Sequence, residues 1–378
     1  MHLLPLAIAA MISLPALPTL AAPVAPERVF ISGHSLVDQP LPTNLAAIAA
    51  SLGTPVQWNR QYMVGSSMRA RARGPSAPAQ ATTWDGYRQG DNRDGSGMDV
   101  LAELRAPRTV TGGIYDSLLI TEQHGLLGTL MWNDSVRYLR HHHDRFIAAN
   151  ARGRTWFYES WLDLDDKADP RRWIAYERAA SPVWQCIATR VNVSLAAEGR
   201  SDRIEPLAAG AALASLIERA TQGAGLPGIS VPGVRQTVDR IFSDQVHLTP
   251  LGAYYMSLVT YATMFDRSPV GAWFPGGIDA VAGKSLQSLA WEWVQGERRG
   301  RRLLTLDECQ DKLQSSFIAT YWAYTRDAFW RQELGPVKAW LRWTQHRLQW
   351  HWRLRKGSSE NPLRYDAATD RSYWLPEP

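Results

Sequence analysis

Cysteine is almost absent, with two residues in 378, so a small disulfide-dense scaffold is excluded. Net charge is also scarce: 41 Lys and Arg stand against 36 Asp and Glu, a formal +5. That is too little on a chain of this length to argue nucleic-acid binding. Beyond the first residues no run approaches the roughly 18 apolar residues of a membrane-spanning helix. No heptad persists, and 28 glycines without a period exclude a collagen-like chain. What is present is a 45% hydrophobic content with 20% charged residues, enough to bury a sizeable core and to exclude wholesale disorder.

The first 22 residues read as an export signal. Leu3, Leu4, Leu6, Ile8, Met11, Ile12 and Leu14 form a short apolar stretch, and Thr19-Leu20-Ala21 places small residues where a signal peptidase reads. Pro5, Pro15 and Pro18 oppose a permanent spanning helix. The expected compartment is periplasmic or extracellular. Cys186 and Cys309 would then sit in an oxidising space, where one disulfide is permitted and not required.

Along the chain, short β-like runs alternate with helical patterns. Val29-Phe30-Ile31, Ile114 to Ile120, Trp156-Phe157-Tyr158 and Arg203-Ile204 read as strands. Asn44 to Leu52, Ser135 to Ala149, Val183 to Ala197, the stretch around Leu213 to Ala220, and Leu251 to Phe265 read as helices. Residues 74–97 carry five glycines and two prolines and read as a long loop. The alternation implies an α/β fold with three α/β/α layers and a mostly parallel sheet. Near Gly296 the composition shifts. From Glu297 to Lys356 there are 13 Lys and Arg against 6 Asp and Glu, so the basicity belongs to a Trp-rich, helical C-terminal extension. The expected organisation is a signal peptide over 1–22, a catalytic domain over 23–295 and the extension over 296–378.

Two local patterns carry chemistry. Ser35, in Gly33-His34-Ser35-Leu36, directly follows the first strand, where a serine hydroxyl is exposed and its N–H can face a developing oxyanion. The triplets ending at Ser230 and Ser285 follow no clear strand. Asp244-Gln245-Val246-His247 precedes an amphipathic helix, and a carboxylate three residues before a histidine can reach its Nδ1 and free Nε2 to act as a base. Ser35, Asp244 and His247 make a complete triad in that chain order.

Phe30 to Asp38 (FISGHSLVD) resembles the first block of the SGNH (GDSL) hydrolase superfamily, with His34 where Asp is usual. Asp244 to Tyr255 (DQVHLTPLGAYY) resembles its last block, which holds the catalytic Asp and His. Gly65, in QYMVGSSMR, resembles the second block, whose glycine N–H helps form the oxyanion hole. The third block, usually Gly-x-Asn-Asp, reads Ile120-Thr121-Glu122-Gln123-His124. Strand-end alignment puts Gln123 at the Asn position; Asn133 competes, and the absence of any side-chain donor stays open. The resemblance implies an SGNH-type serine esterase: Ser35 as nucleophile, His247 as base, Asp244 orienting it, and an oxyanion hole from Ser35, Gly65 and Gln123 or Asn133. It implies no metal and no cofactor.

Other features read as ordinary. His141-His142-His143 cannot converge on one ion, because consecutive helical positions diverge by about 100°, and reads as a solvated helix face. Arg69, Arg71 and Arg73 read as a charged helix face or a site for an acidic sugar, and Glu159 as a loop carboxylate or a ligand for substrate hydroxyls. Trp322, Trp330, Trp340, Trp343, Trp350 and Trp352 with interleaved Lys and Arg suit packing onto the body, or contact with a membrane surface or a glycan.

The functional expectation is an exported esterase removing O-acetyl or another short acyl group from a carbohydrate or other acylated molecule. The alternatives are an O-acyltransferase acting on a glycan and a non-catalytic envelope-binding protein that keeps the fold. No nucleic-acid partner is expected.

Overall fold

The computed structural model describes residues 25–78, 81–106, 112–300 and 302–377. The expected signal segment lies outside the described residues. Five strands, β1 (Glu27–Gly33), β2 (Val56–Tyr62), β3 (Ser117–Thr121), β4 (Arg154–Tyr158) and β5 (Ile204–Leu207), form one all-parallel sheet in the order β2-β1-β3-β4-β5. β1 and β3 sit centrally and read as near-continuous apolar runs, as strands buried on both faces must.

Helices cover both faces. Leu41–Ser51, Ala209–Thr221, Pro250–Phe265 and Ala280–Gly300 pack together, while Met68–Arg73, Ser135–Ala149 and Arg171–Ala197 pack on one another. The α/β/α architecture is as expected. Right-handed crossovers fix the sides: the chain steps one way from β1 to β2, then reverses past β1 to reach β3. That reversal opens a crevice at the carboxyl ends of β1 and β3, the usual place for a ligand in an open α/β sheet.

β2 was not expected. Its register places Gly33 opposite Tyr62, and it forms the edge of the sheet. Its buried positions include Asn59 and Gln61, both fully enclosed, so the apolar alternation that marks a strand is missing. Gln61 works instead as a connector: its Nε2 donates to the carbonyls of Arg71, Gly86 and Gln89 at 2.9–3.1 Å.

The helix Ala280–Gly300 runs unbroken through the expected 295/296 boundary. After it come helices Leu306–Lys312, Ile318–Thr325 and Pro336–Arg353, with one π-helical turn on each side of the second. This region folds back onto the helix Arg171–Ala197. Cys186 and Cys309 form a disulfide with Cα atoms 5.7 Å apart, closing a loop of 123 residues. In the chain-entropy picture such a loop stabilises by roughly 4–5 kcal/mol. Tyr176 meets the rings of Phe317, Tyr321 and Tyr324, and buried Arg190 pairs with Asp370 at 2.5 Å. The tryptophans divide: Trp322, Trp330 and Trp350 are buried, Trp343 is half-buried, and Trp340 and Trp352 face solvent. Among the described residues no helix is long and apolar enough to cross a membrane.

The histidine run is a correction. His141, His142 and His143 are all buried, not solvated. His141 stacks on Trp84 at 4.0 Å and bonds the Tyr87 hydroxyl through Nδ1. His142 donates from Nε2 to the Met68 carbonyl at 3.0 Å, and His143 bridges Thr155 and Asp202. The three rings diverge as helical geometry requires, and Tyr87 lies beside two of them, His141 and His142. No metal-holding group of three His, Cys, Asp or Glu occurs among the described residues.

Burial, with Arg71 beside it, pushes His142 down to about 3; burial, then His142 and neighbouring arginines, pushes His141 down to about 2. His34 is pushed down to about 3, first by burial and then by His124 and Arg71. All three are therefore neutral in the fold but take up protons below about 6.5 once unfolded. Their contribution to stability is complete above pH 6.5 and is lost as pH falls toward 3, with up to about one proton bound per histidine on unfolding. Urea unfolding at a series of pH values should show stability falling steeply between pH 6 and 4. The fall should be shallower in His142→Gln, which keeps an N–H for Met68 without the titration; an unchanged slope would contradict this account.

Candidate active site

Ser35 opens a single 3-10 turn, Ser35–Val37, two residues beyond β1. Gly33 is needed there: a Cβ on it would lie 2.1 Å from Val37 Cγ2 and 3.1 Å from Thr121 Cγ2. The turn can fold tightly over the strand end only without that carbon.

His34, the residue where the resembling family has Asp, is fully buried. Its Nε2–H donates to the Glu122 carbonyl at 2.9 Å, tying the end of β1 to the end of β3, and its ring stacks on His124 at 5.1 Å. Because it stays neutral, it places no cation beside the serine. His124 in turn bonds the Trp161 carbonyl through Nδ1 at 3.1 Å, and burial lowers its pKa.

The Asp244–His247 loop is closed at its base. Phe242 and Leu248 bridge, the Ser243 N–H donates to the His247 carbonyl at 2.9 Å, and Thr249 caps the helix Pro250–Phe265 through Gly252 N. From the far side, Trp161 Nε1 donates to the Val246 carbonyl at 2.9 Å and Leu164 N to the Gln245 carbonyl at 2.7 Å. Within the loop, Asp244 Oδ1 accepts the N–H groups of Val246 and His247 at 2.7 and 2.6 Å. Its Oδ2 accepts His247 Nδ1–H at 2.6 Å, and His247 Nε2 lies 3.0 Å from Ser35 Oγ. The structure thus brings together the three residues the sequence singled out, from positions 212 apart. Burial pushes the Asp244 carboxyl up, but the His247 N–H, its ring and the Val246 N–H outweigh this and hold it below the usual range. It remains a carboxylate, which holds the Nδ1 proton and leaves Nε2 facing Ser35. The Asp244 and His247 side chains are 56 and 46% exposed, so the site is open to solvent.

Gly65 lies just past β2, with φ +58° and no neighbour within 4 Å of where a Cβ would stand. It is exposed, and its strand is the register partner of β1, whose end carries Ser35. The Met63 N–H reaches the Gly33 carbonyl at 3.1 Å, stitching this loop to the serine turn.

Beneath the loop lies a buried network that sequence reasoning missed. Arg71 is fully enclosed, not part of a charged face. It donates to Ser32 Oγ (2.9 Å), to the Ser66 carbonyl and Oγ (2.9 and 3.0 Å), and to the Thr121 carbonyl. Glu122 is likewise enclosed; it accepts Met68 N–H and Gln123 N–H on Oε1 and the Ser135 hydroxyl on Oε2. Burial raises Glu122 and lowers Arg71 to about 10, each opposed by the other's charge. Arg71 and Glu122 therefore lash the ends of β1 and β3 to the segment carrying Gly65. The signal was available in the spacing of Arg69, Arg71 and Arg73, since alternate positions on a helix cannot share one solvated face. Arg73 is also buried, with its guanidinium 3.3 Å over the Trp84 ring.

Gln123 and Asn133 prove to be neighbours. Asn133 Nδ2 lies 3.4 Å from Gln123 Oε1, a geometry that occupies the Gln123 carbonyl and leaves its NH2 group to donate. By extension of the β1–β3 register, Gln123 stands two residues beyond its strand as Ser35 does beyond β1. Under the esterase expectation, Gln123→Ala should lower turnover on a small ester by roughly 10²-fold if its amide meets the oxyanion, and Asn133→Ala by less, through loosening Gln123. A larger loss in Asn133→Ala would make Asn133 the donor. Glu159 is buried and accepts from the Ser181 hydroxyl at 2.9 Å.

No family model and no curated protein sequence matches this chain. Among solved structures, a DUF4886 family protein from Bacteroides uniformis is similar at 14% identity and a TM-score of 0.45. The match covers 72% of this chain and 95% of that one.

Proposed function

We propose that the chain is an exported serine ester hydrolase that removes O-acetyl or another short acyl group from a carbohydrate. The observation that carries this reading is the chain of contacts Ser35 Oγ, His247 Nε2, His247 Nδ1, Asp244 Oδ2, at 3.0 and 2.6 Å. In the proposed reaction His247 Nε2 takes the Ser35 proton as Oγ bonds to the ester carbonyl carbon. The carbonyl oxygen becomes an oxyanion facing the N–H groups of Ser35 and Gly65 and the Gln123 amide, where each donor typically contributes about 3 kcal/mol. The C–O bond to the alcohol then breaks, and His247 returns the proton to the leaving oxygen. Water, deprotonated by the same Nε2, attacks the acyl-Ser35 carbonyl, and the proton passes back to Oγ as the acid leaves.

Export is supported by the Cys186–Cys309 bond, since such bonds persist in oxidising compartments. A carbohydrate alcohol is favoured by the open triad, which need not enclose its substrate. The test is hydrolysis of a chromogenic acetyl ester together with acetate release from an O-acetylated glycan. Turnover of both supports the reading. Acetyl transfer to added glycan with little hydrolysis would replace hydrolase by transferase, and no turnover of either would favour a binding protein.

A further inference from the structure

The helix Pro336–Arg353 has one packed face and one face that no described residue covers. Ala339 and Trp350 are buried, with His346 and Trp343 half-buried beside them. On the other side, Val337, Trp340, Leu341, Leu348 and Trp352 are each between 54 and 71% exposed. At 100° per residue Val337, Leu341, Leu348 and Trp352 fall within about 60° of one another, with Trp340 at their flank. Four turns of helix therefore present an apolar stripe, interrupted by Thr344, to solvent.

The helix itself carries charge of one sign. From residue 336 to 356 there are six Lys and Arg and no Asp or Glu. Arg353 and Lys356 pair with Glu360 and Asp307. Lys338, Arg342, Arg347 and Arg355 have no carboxylate partner among the described residues, and Arg342, Arg347 and Arg355 lie over tryptophan rings instead.

We infer that this face docks on an anionic lipid surface, with the stripe in the headgroup layer and Lys338, Arg342, Arg347 and Arg355 against lipid phosphates. A soluble polyanion would use the cations and leave the stripe idle. A neutral lipid would use the stripe and gain nothing from the cations. Both together, with tryptophans along the stripe, are what an interfacial helix on anionic lipid requires. The place in the fold adds a consequence. Trp350, on the packed face, meets Trp132 edge-on at 5.3 Å, and Trp132 is itself 57% exposed and immediately precedes Asn133. Docking would therefore set the Gln123–Asn133 side of the cleft one helix diameter, roughly 10 Å, from the headgroup layer. That consequence rests on the proposed function; the docking itself does not.

Flotation of the full chain with vesicles tests the inference. Vesicles of phosphatidylcholine mixed with phosphatidylglycerol should retain the protein about tenfold or more better than phosphatidylcholine alone, with the excess lost in high salt. Leu341→Gln with Leu348→Gln, both on exposed positions, should cut retention about tenfold at unchanged melting temperature, and Lys338→Gln with Arg347→Gln should remove the preference for the anionic lipid. Ser35→Ala should bind as the parent chain does, which separates failure of docking from failure of the esterase reading. Equal retention on both vesicles, or none on either, overturns the inference. So does full retention of the Leu341, Leu348 variant with heparin displacing every form equally, which would make the patch a polyanion site.

Discussion

Replacing Ser35 with alanine should abolish ester hydrolysis while leaving the melting temperature within about a degree of the parent chain. The hydroxyl's structural contact is with His247 Nε2, on an open surface where water can take its place. The turn that carries it is shaped by Gly33, Val37 and the His34–Glu122 bond, none of which involves the Ser35 side chain. Loss of a nucleophile of this kind costs several orders of magnitude in turnover, the remainder coming from binding and the oxyanion donors alone. Activity above about a tenth of the parent value would place the chemistry elsewhere. A large fall in melting temperature would show that the hydroxyl has a structural role unseen in its contacts.

Asp244→Asn should be nearly as damaging, by about 10³–10⁴-fold, and for a reason that can be traced atom by atom. Two backbone N–H groups, from Val246 and His247, converge on Asp244 Oδ1. In the variant they select the amide oxygen for that position, which turns the NH2 group toward His247 Nδ1. An NH2 there can only donate, so Nδ1 must become the acceptor and the ring proton moves to Nε2. His247 then presents a proton to Ser35 instead of a lone pair. Steady-state kinetics should show the loss in kcat, with the loop's hydrogen bonds and the melting temperature largely kept. An Asp244→Asn enzyme with more than a few per cent of parent kcat would mean that Asp244 does not set the tautomer.

The candidate triad was legible because it depends on short-range patterns: an apolar strand ending in Gly-x-Ser, and a carboxylate three residues before a histidine. Each is local, and the parallel sheet brings them together at its carboxyl edge. What escaped was set by long-range burial. β2 hides behind Asn59 and Gln61, polar residues that an edge strand can enclose because each finds hydrogen-bond partners in a neighbouring loop. Arg71 and Glu122 look like surface charges in sequence, and their burial makes sense only once the ends of β1 and β3 and the Gly65 segment are side by side. The three consecutive histidines follow the same logic, since their helix is flanked on three sides by other elements. The tryptophan-rich region suits packing or surface contact in sequence; its helix packs through Trp350 and leaves Trp340 and Trp352 exposed.

The central claim is that Ser35 is an activated nucleophile, and covalent labelling reads this most directly. A fluorophosphonate probe reacts with a serine whose proton is being removed, and its phosphorus atom needs no knowledge of the natural acyl group. The account predicts one labelled peptide, the one containing Ser35, with labelling lost in Ser35→Ala and severely reduced in Asp244→Asn. An unlabelled parent chain, or a label that persists on another residue in Ser35→Ala, would contradict it.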